Sequence, residues 1–223
     1  MKKQLFTYYG KIILSKICYH YTKLESNIHP YNSYIFIITF LNSLSSQALS
    51  NDTFNNFVKG ISKEAEKKGV SVKVIKDYKS KVSFIPRVIE LDRSQPEFKL
   101  TLDQYLARVV TSSRIKKANS RYKKNKELLN VISKHYGVQP RFLVALWGIE
   151  TDFGRLTGGF SVVSALSTLA FDGRRHEYFK KELFNALKII NDGHITLSKM
   201  TGSWAGAMGQ CQFMPSSFIN YAN

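Results

Sequence analysis

The sequence predicts a mainly α-helical fold with a small irregular or β portion near residues 82–100. Two observations support this prediction. In most segments after residue 51, apolar residues recur at the spacing of a helix that buries one face. Prolines, glycines and a capping pattern stand where these apolar stripes begin or end, which is where helix boundaries are expected.

Residues 1–50 have the features of a secretory leader. They contain five lysines and one glutamate, and all five lysines precede an uncharged apolar run at residues 34–41. This run is shorter than the roughly 20 residues that a membrane-spanning helix needs. Ala48 and Ser50 then supply small residues, so we expect a signal peptide or leader that is cut near Ser50. The alternative is that the apolar run forms a buried helix or strand.

Residues 51–137 predict an N-terminal helical region. Its first part is interrupted at Gly69 and has apolar residues at helical spacing at Phe54, Phe57, Val58 and Ile61. Pro86 and Pro96 exclude a long helix between residues 82 and 100. Thr101 and Gln104 form a capping box, in which each side chain can bond to the backbone amide of the other. The apolar stripe that follows comprises Leu102, Tyr105, Leu106, Val109 and Val110.

The segment 114–126 is basic and contains no acidic residue. Its cations are Arg114, Lys116, Lys117, Arg121, Lys123, Lys124 and Lys126. We interpret it as a solvated helix face, and the alternative is an electrostatic contact with an anionic polymer. An apolar face then resumes at Leu128, Leu129, Ile132 and Tyr136, and Gly137 can end the helix.

Residues 138–223 predict a second helical unit. Pro140 suits the first turn of a helix that ends at Gly154, and the predicted buried face of this helix is Phe142, Leu146, Ile149 and Phe153. Two more helices are expected at residues 162–170 and 174–190, the second with Tyr178, Phe179, Leu183, Leu187 and Ile190 inward. A glycine-punctuated loop leads to a last helix that Pro215 opens and that has only about two turns.

The charge is distributed unevenly along the chain. The 223 residues have a net charge of +17 with 43% hydrophobic residues, which excludes a disordered polyelectrolyte. Residues 51–137 contain 20 basic and 9 acidic side chains, whereas residues 138–223 contain 8 and 6. No recognisable nucleic-acid-reading module accompanies the excess, so we predict no nucleic-acid partner.

Glu150 is the candidate catalytic residue. On a helix, Trp147 and Phe153 lie one turn before and after it, so we expect a poorly solvated carboxyl group that can act as a general acid. The alternative is a surface ion pair with Arg155 or Arg141. Asp152 lies about 200° round the helix and points away, and Asp172 is expected to cap the next helix. No second carboxylate is therefore placed for a two-acid glycosidase mechanism.

Three blocks of sequence resemble the lytic murein transglycosylase B family of the lysozyme-like superfamily. The first, ALWGIETDFGR at 145–155, contains Glu150; the others are LAFDGRR at 169–175 and GSWAGAMGQCQFMPSS at 202–217. The resemblance implies a lysozyme-like helical core and cleavage of peptidoglycan between N-acetylmuramic acid and N-acetylglucosamine without water. Glu150 would protonate the glycosidic oxygen, and the muramyl acetamido group would stabilise the cationic centre. Glu150 would then deprotonate the 6-hydroxyl, which closes a 1,6-anhydro ring.

The resemblance also implies the substrate contacts. Ser203 and Gln212 fall on positions that contact the sugar and its acetamido group, and Arg174 and Arg175 fall where the acidic peptide stem binds. The alternative for each arginine is an ion pair with Glu177 or Asp172. No Asp-x-Asp-x-Asp pattern occurs, so we predict no metal, and no cofactor is implied.

The expected partners are the glycan strands and peptide stems of peptidoglycan, with a membrane contacted only through an uncleaved leader. We expect a monomer in the periplasm of a Gram-negative bacterium. Family members continue past Asn223, so we interpret the chain as C-terminally truncated. The domain organisation is then a leader at 1–50, a helical region at 51–137 and a shortened lysozyme-like catalytic core at 138–223. The alternative function is an inactive, peptidoglycan-binding remnant.

Overall fold

The computed structural model describes residues 52–94 and 101–222, and this part of the chain is mainly α-helical, as predicted. The expected leader lies outside the described residues. The helices are α1 (52–67), α2 (Val72–Lys81), α3 (Pro86–Arg93), α4 (Leu102–Val109), α5 (Ser112–Lys124), α6 (Lys126–Tyr136), α7 (Pro140–Thr151), α8 (Val162–Asp172), α9 (His176–Asn191) and α10 (Pro215–Tyr221), with a 3₁₀ turn at Leu197–Lys199.

Helix α8 lies at the centre of the main core. Every residue from Val162 to Ala170 is buried. The helix packs against α9 on one side and α3 on another. Aromatic rings close the core at the α1 end, where Phe54 meets Phe171 and Phe84 at centroid distances of 5.4 Å. A helix that is buried all round must be apolar or must have its polar groups bonded within the core.

The hydroxyl groups of α8 bond to the segment that follows α2. The Ser164 and Thr168 side-chain oxygens accept from the backbone amides of Ser83 and Ile85, at 3.2 and 3.0 Å. The Tyr78 hydroxyl lies 3.1 Å from that of Ser167, and both residues are fully buried. The bonds from Ser83 and Ile85 give partners to two backbone amides that have none within a helix. They also hold the connection between α2 and α3 against the central helix.

Helices α5, α6 and α7 form a smaller cluster. Leu129, Val144 and Phe153 are its buried residues, and Tyr122 and Trp147 pack against them. The predicted helix boundaries at Gly137, Pro140 and Pro215 are confirmed, as is the Thr101–Gln104 capping box. Gly137 has a φ of 69° and ends α6 in the left-handed conformation that glycine adopts without strain.

Two two-residue strands form the β portion, at a place that the sequence did not indicate. β1 (Phe160–Ser161) pairs antiparallel with β2 (Thr201–Gly202), with Phe160 opposite Gly202. The prediction of irregular or β structure after residue 82 was wrong for 86–93, which form α3. Pro86 occupies the first turn of α3, where its missing N–H costs nothing.

The predicted buried face of α7 was wrong for three of its four residues, and Phe153 is the one that is buried. Phe142, Leu146 and Ile149 are 52%, 57% and 47% exposed, and the side of α7 that packs inward carries Val144 and Gly148. The apolar stripe of α4 is likewise exposed, as is Tyr178 on α9. Helical spacing identifies an apolar stripe, but it does not say whether another element covers it.

Replacing Tyr78 with phenylalanine should lower the free energy of unfolding by about 1–2 kcal/mol, because the buried Ser167 hydroxyl loses its partner. Urea unfolding of the purified chain measures the change. Tyr105→Phe on the exposed face of α4 is the matched control and should have no effect. Adding Ser167→Ala to Tyr78→Phe should recover part of the loss; a double variant that is simply additive would contradict this assignment.

Candidate functional site

Glu150 lies in the last turn of α7 and is exposed. Within residues 52–94 and 101–222, its carboxylate has no hydrogen bond or ion pair. The expectation of a carboxyl group packed between two aromatic rings was wrong. Trp147 and Phe153 instead meet each other edge to face at a centroid distance of 5.5 Å.

The chain reversal after α7 explains this arrangement. Asp152 and Phe153 both have left-handed backbones, with φ of 48° and 62°, which turn the Phe153 ring back over the helix. The ring packs against Gly148 so closely that a Cβ on this residue would lie only 2.7 Å from the Phe153 Cζ atom. Phe153 therefore packs beneath Trp147, and the Glu150 carboxylate remains in solvent.

The surface ion pairs considered for Glu150 do not form either. Arg155 donates to Asp152 at 2.7 Å, and Arg141 lies over the Phe142 ring at 5.0 Å. Lys117 of α5 donates to the same Asp152 oxygen at 2.8 Å. The hydrogen bonds from Lys117 and Arg155 lower the pKa of Asp152 to about 2. Asp152 is thus a fixed anion that joins α5 to the end of α7.

The loop at 203–214 contacts the end of α7 through Gln210. The Trp147 indole N–H donates to the Gln210 side-chain oxygen at 2.7 Å, and the Thr151 hydroxyl donates to the Gln210 carbonyl at 2.8 Å. Thr151 also accepts from the backbone amide of Gly154 at 3.0 Å. Glu150 is therefore flanked along the chain by two residues that bond to this loop.

Ser203 and Gln212 lie on the same loop and face the segment 157–159. The Gln212 side-chain amide donates to the carbonyls of Gly209 and Thr157, at 2.9 and 3.2 Å. The Ser203 hydroxyl accepts from the backbone amide of Ala207 at 3.0 Å. Among residues 52–94 and 101–222, the Gln212 carbonyl oxygen and the Ser203 O–H donor have no bonding partner.

Gly158 allows this close approach. Its φ is 91°, and a Cβ there would lie 2.1 Å from the Gly202 carbonyl oxygen and 2.5 Å from the Ser203 backbone nitrogen. No other residue type fits this position, since both the backbone angle and the space exclude a side chain. The segment after α7 and the start of the 203–214 loop are therefore in direct backbone contact.

Arg174 and Arg175 lie at the other end of α8 from β1. Eleven residues of helix separate the two ends by about 16 Å. Arg174 donates two hydrogen bonds to the buried Asp92 carboxylate, and Arg93 pairs with Asp172 at 2.7 Å. Neither Glu177 nor Asp172 is the hydrogen-bonded partner of Arg174, and Asp172 caps no helix, because it is the last residue of α8.

Arg175 has no carboxylate partner in the described part of the chain. Its guanidinium lies over the rings of Tyr178 and Phe179, at 4.4 and 5.1 Å from their centroids. Stacking on these rings holds the guanidinium in place while its N–H groups remain exposed. Arg174 therefore directs its Nε and Nη2 groups to Asp92, whereas Arg175 keeps its guanidinium for an external anion.

Two polar residues that bond distant segments of the chain were not identified from the sequence. Glu182 is buried on α9 and accepts from the Ser216 backbone amide at 2.8 Å, at the first turn of α10. Its position among the inward residues of α9 was the available signal, since a carboxylate there needs a donor. Gln210 had no comparable signal, because its partners are distant in sequence.

Other chemistries have no support in the described residues. No group of three His, Cys, Asp or Glu side chains among them is arranged to hold a metal ion. Cys211 is an exposed free thiol, and the His194 ring packs on Phe218 at 5.3 Å. Trp204, Met208 and Met214 pack against the main core. In the described part of the chain, no helix has both the length and the hydropathy of a membrane span.

Helices packed around the buried α8, with an exposed Glu150 at the end of α7, are the architecture of a lysozyme-like domain. Residues 53–223 match the family model described as Transglycosylase SLT domain, and the chain belongs to this family. It is 37% identical over 120 residues to membrane-bound lytic murein transglycosylase B of Escherichia coli. That match covers 53% of this chain and 33% of the relative.

Solved structures share the fold. SltB3 from Pseudomonas aeruginosa, crystallised in complex with NAG-NAM-pentapeptide, superposes with a TM-score of 0.73 at 35% identity, over 76% of this chain and 46% of SltB3. The Escherichia coli lytic transglycosylase Slt35 in complex with bulgecin A matches with a TM-score of 0.66 at 30% identity. This match covers 78% of this chain and 55% of Slt35. The chain thus spans about a third to a half of the length of these relatives.

The low pKa of Asp152 predicts a stability change in acid. Because the folded state lowers its pKa from 3.8 to about 2, Asp152 stabilises the fold above about pH 4, and this contribution is lost as the pH falls towards 2. Asp152→Asn should therefore flatten the decline of the unfolding midpoint over that range. Thermal unfolding measured from neutral to acid pH tests this, with the exposed Glu66→Gln as control. Parallel curves for wild type and Asp152→Asn would refute the prediction.

Proposed function

We propose that this protein is a peptidoglycan lytic transglycosylase that cleaves the MurNAc–GlcNAc β-1,4 bond without water and gives 1,6-anhydromuramyl products in cell-wall remodelling or turnover. One observation carries the proposal. Of the 6 carboxylates in residues 138–222, Glu150 is the one in the last turn of α7 beside the 203–214 loop, and within the described residues it has no hydrogen-bond or ion-pair partner. Asp152, Asp172, Glu182 and Asp192 are all held by partners, and Glu177 lies on the first turn of α9, 3.6 Å from the His176 ring and 89% exposed. Family membership and the named activities of the relatives agree with this assignment.

A single carboxyl group is sufficient for this reaction. Glu150 gives its proton to the glycosidic oxygen as the bond to the muramyl C1 breaks, and the 2-acetamido carbonyl stabilises the positive carbon. The Glu150 carboxylate then takes the proton of the 6-hydroxyl, whose oxygen bonds to C1. The proton balance of Glu150 is restored and no water is consumed, so no second protein carboxylate is required.

The exposure of Glu150 in the free protein fits this role once a glycan is bound. A saccharide ring that covers the end of α7 excludes water from the carboxyl group. Desolvation favours the protonated acid, which is the form that the first step needs. The sugar thus supplies the desolvation that Trp147 and Phe153 do not.

Ser203 and Gln212 are the proposed sugar contacts. The Ser203 O–H can donate to a sugar oxygen, and the free Gln212 carbonyl oxygen can accept from an acetamido N–H. Both groups are oriented by their bonds to the backbone, so little side-chain entropy is lost when a glycan binds. Because their loop also bonds to α7 through Gln210, binding and acid groups are held on one connected scaffold.

Arg175 is the proposed contact for the acidic peptide stem, with Arg174 beside it. SltB3 was crystallised with a pentapeptide-bearing disaccharide. An extended stem of five residues reaches about 16 Å, which matches the length of α8 between the two parts of the site. Arg174 serves first to fix the buried Asp92, so the two arginines contribute differently.

We place this reaction in the periplasm of a Gram-negative bacterium, with a monomeric enzyme that uses no cofactor or metal. Peptidoglycan carries stem carboxylates, and the basic residues of α5 give the protein an electrostatic attraction to it. The second candidate function is an inactive peptidoglycan-binding remnant, for which the exposed basic residues of α5 would be sufficient.

Glu150→Gln should lower the release of soluble fragments from purified peptidoglycan by at least about 100-fold, because the amide cannot donate the proton. Mass spectrometry of the fragments should show anhydro termini, lighter than reducing ends by one water. Glu127→Gln, an exposed substitution on α6, is the matched control. Fragments that incorporate labelled solvent oxygen would identify a hydrolase instead. Sedimentation with peptidoglycan but no soluble product from the wild type would establish the inactive remnant.

The two arginines should respond differently to alanine. Arg174→Ala removes the guanidinium from the buried Asp92 carboxylate and should lower the unfolding temperature clearly below that of the wild type. Arg175→Ala should leave stability within about 1 kcal/mol and weaken binding of stem-bearing glycan about fivefold. Stem-free glycan, measured by calorimetry, is the control ligand. Equal weakening of both glycans by Arg175→Ala would remove the proposed stem contact.

A further inference from the structure

We infer that Gln210 is a positioning residue for Glu150, an inference that rests on the proposed function. Gln210 bonds to the end of α7 at two points. Its side-chain oxygen accepts from the Trp147 indole, and its backbone carbonyl accepts from the Thr151 hydroxyl. Trp147 lies three residues before Glu150 on the same helix face, and Thr151 is the residue directly after Glu150. The carboxylate is therefore carried by the one turn that Gln210 holds at both ends.

Other restraints on the turn that carries Glu150 lie on its inner side and at its C-terminal end, where Lys117 holds Asp152 and the Arg121 guanidinium lies 5.9 Å from the Trp147 ring centroid. Leu146 and Ile149, its apolar neighbours, are about half exposed and add little packing. On the inner side it rests on Phe153 through Gly148, and Phe153 itself belongs to the chain reversal. The last turn of a helix frays unless its groups are bonded. Gln210 adds to these restraints, because its two bonds connect this turn to the 203–214 loop.

The fit between Gln210 and the chain reversal is close. Gly154 has a φ of 84°, and a Cβ there would lie 2.6 Å from the Gln210 side-chain oxygen. Thr151 is fully buried and links the two segments, because it donates to Gln210 and accepts from Gly154. Gln210 therefore fills a space that the backbone of residues 151–154 leaves open for it.

Geometry at the acid matters for rate, since a small displacement of a catalytic group can lower the rate by about 100-fold. Gln210 does not need to touch the substrate to have this effect. Its loop also carries Gln212, so the same residue sets the distance between the acid and the sugar-binding amide. Loss of the Gln210 side chain should lower kcat and leave KM nearly unchanged.

The test uses Gln210→Ala in the full chain. Gln139→Ala is the matched control, an exposed glutamine at the opposite end of α7 without a side-chain cap bond. The first readout is NMR. The indole N–H resonance of Trp147, one of 2 tryptophans, should move, and amide exchange at residues 149–151 should accelerate about tenfold. Gln210→Glu keeps the acceptor and should restore slow exchange.

The second readout is peptidoglycan cleavage. We expect kcat of Gln210→Ala to fall about tenfold or more with KM within about twofold, and Trp147→Phe to add little to that loss. Unchanged exchange at residues 149–151 in Gln210→Ala overturns the inference, as does faster exchange with unchanged kcat. A wild type that releases no product counts against the proposed function alone, and amide exchange then decides whether Gln210 orders the turn.

Discussion

The fold depends on the complete burial of α8. A helix without a solvent face loses all hydration of its polar side chains, so each of those groups must find a partner in the core. Ser164 and Thr168 do so by accepting from backbone amides of the chain between α2 and α3, and Ser167 does so by bonding to Tyr78 of α2. The polar groups of the central helix thereby specify which segment packs on it, in addition to contributing to stability.

The same helix separates the two parts of the proposed site. Its N-terminal end begins at β1, where the backbone contact between Gly158 and Gly202 brings the 203–214 loop against the segment after α7. Its C-terminal end leads to the turn with Arg174 and Arg175, which Asp92 and Arg93 of α3 brace. A rigid buried helix thus fixes the separation between the 203–214 loop and the arginines proposed to contact the stem.

Local signals predicted the helices well and the burial of their faces poorly. Pro140, Gly137 and the Thr101 capping box act within a few residues, and the structure confirms each of them. The exposure of Phe142 and Leu146 depends on whether another element covers α7, which spacing along a helix cannot tell. The bonds of Gln210 and Asp92 could not be predicted from the sequence for a related reason. Their partners lie 59 to 82 residues away in sequence.

The position of Glu150 could be predicted, whereas its environment could not. Its helix and its place in the 145–155 block followed from the sequence, but the expected aromatic enclosure assumed that α7 continued to Phe153. The left-handed residues Asp152 and Phe153 end the helix sooner and reverse the chain. Non-glycine residues in that conformation are uncommon, so a helical reading had no reason to place the reversal there.

The basic segment on α5 has a structural role that its composition did not suggest. Lys117 pairs with Asp152, and the Arg121 guanidinium lies 5.9 Å from the centroid of the Trp147 ring. Two cations of the run therefore contact the end of α7 that carries Glu150. The remaining lysines on this helix face solvent, where they can attract an anionic polymer. Part of the charge excess thus supports the acid-bearing turn, and the rest is free to act at a distance.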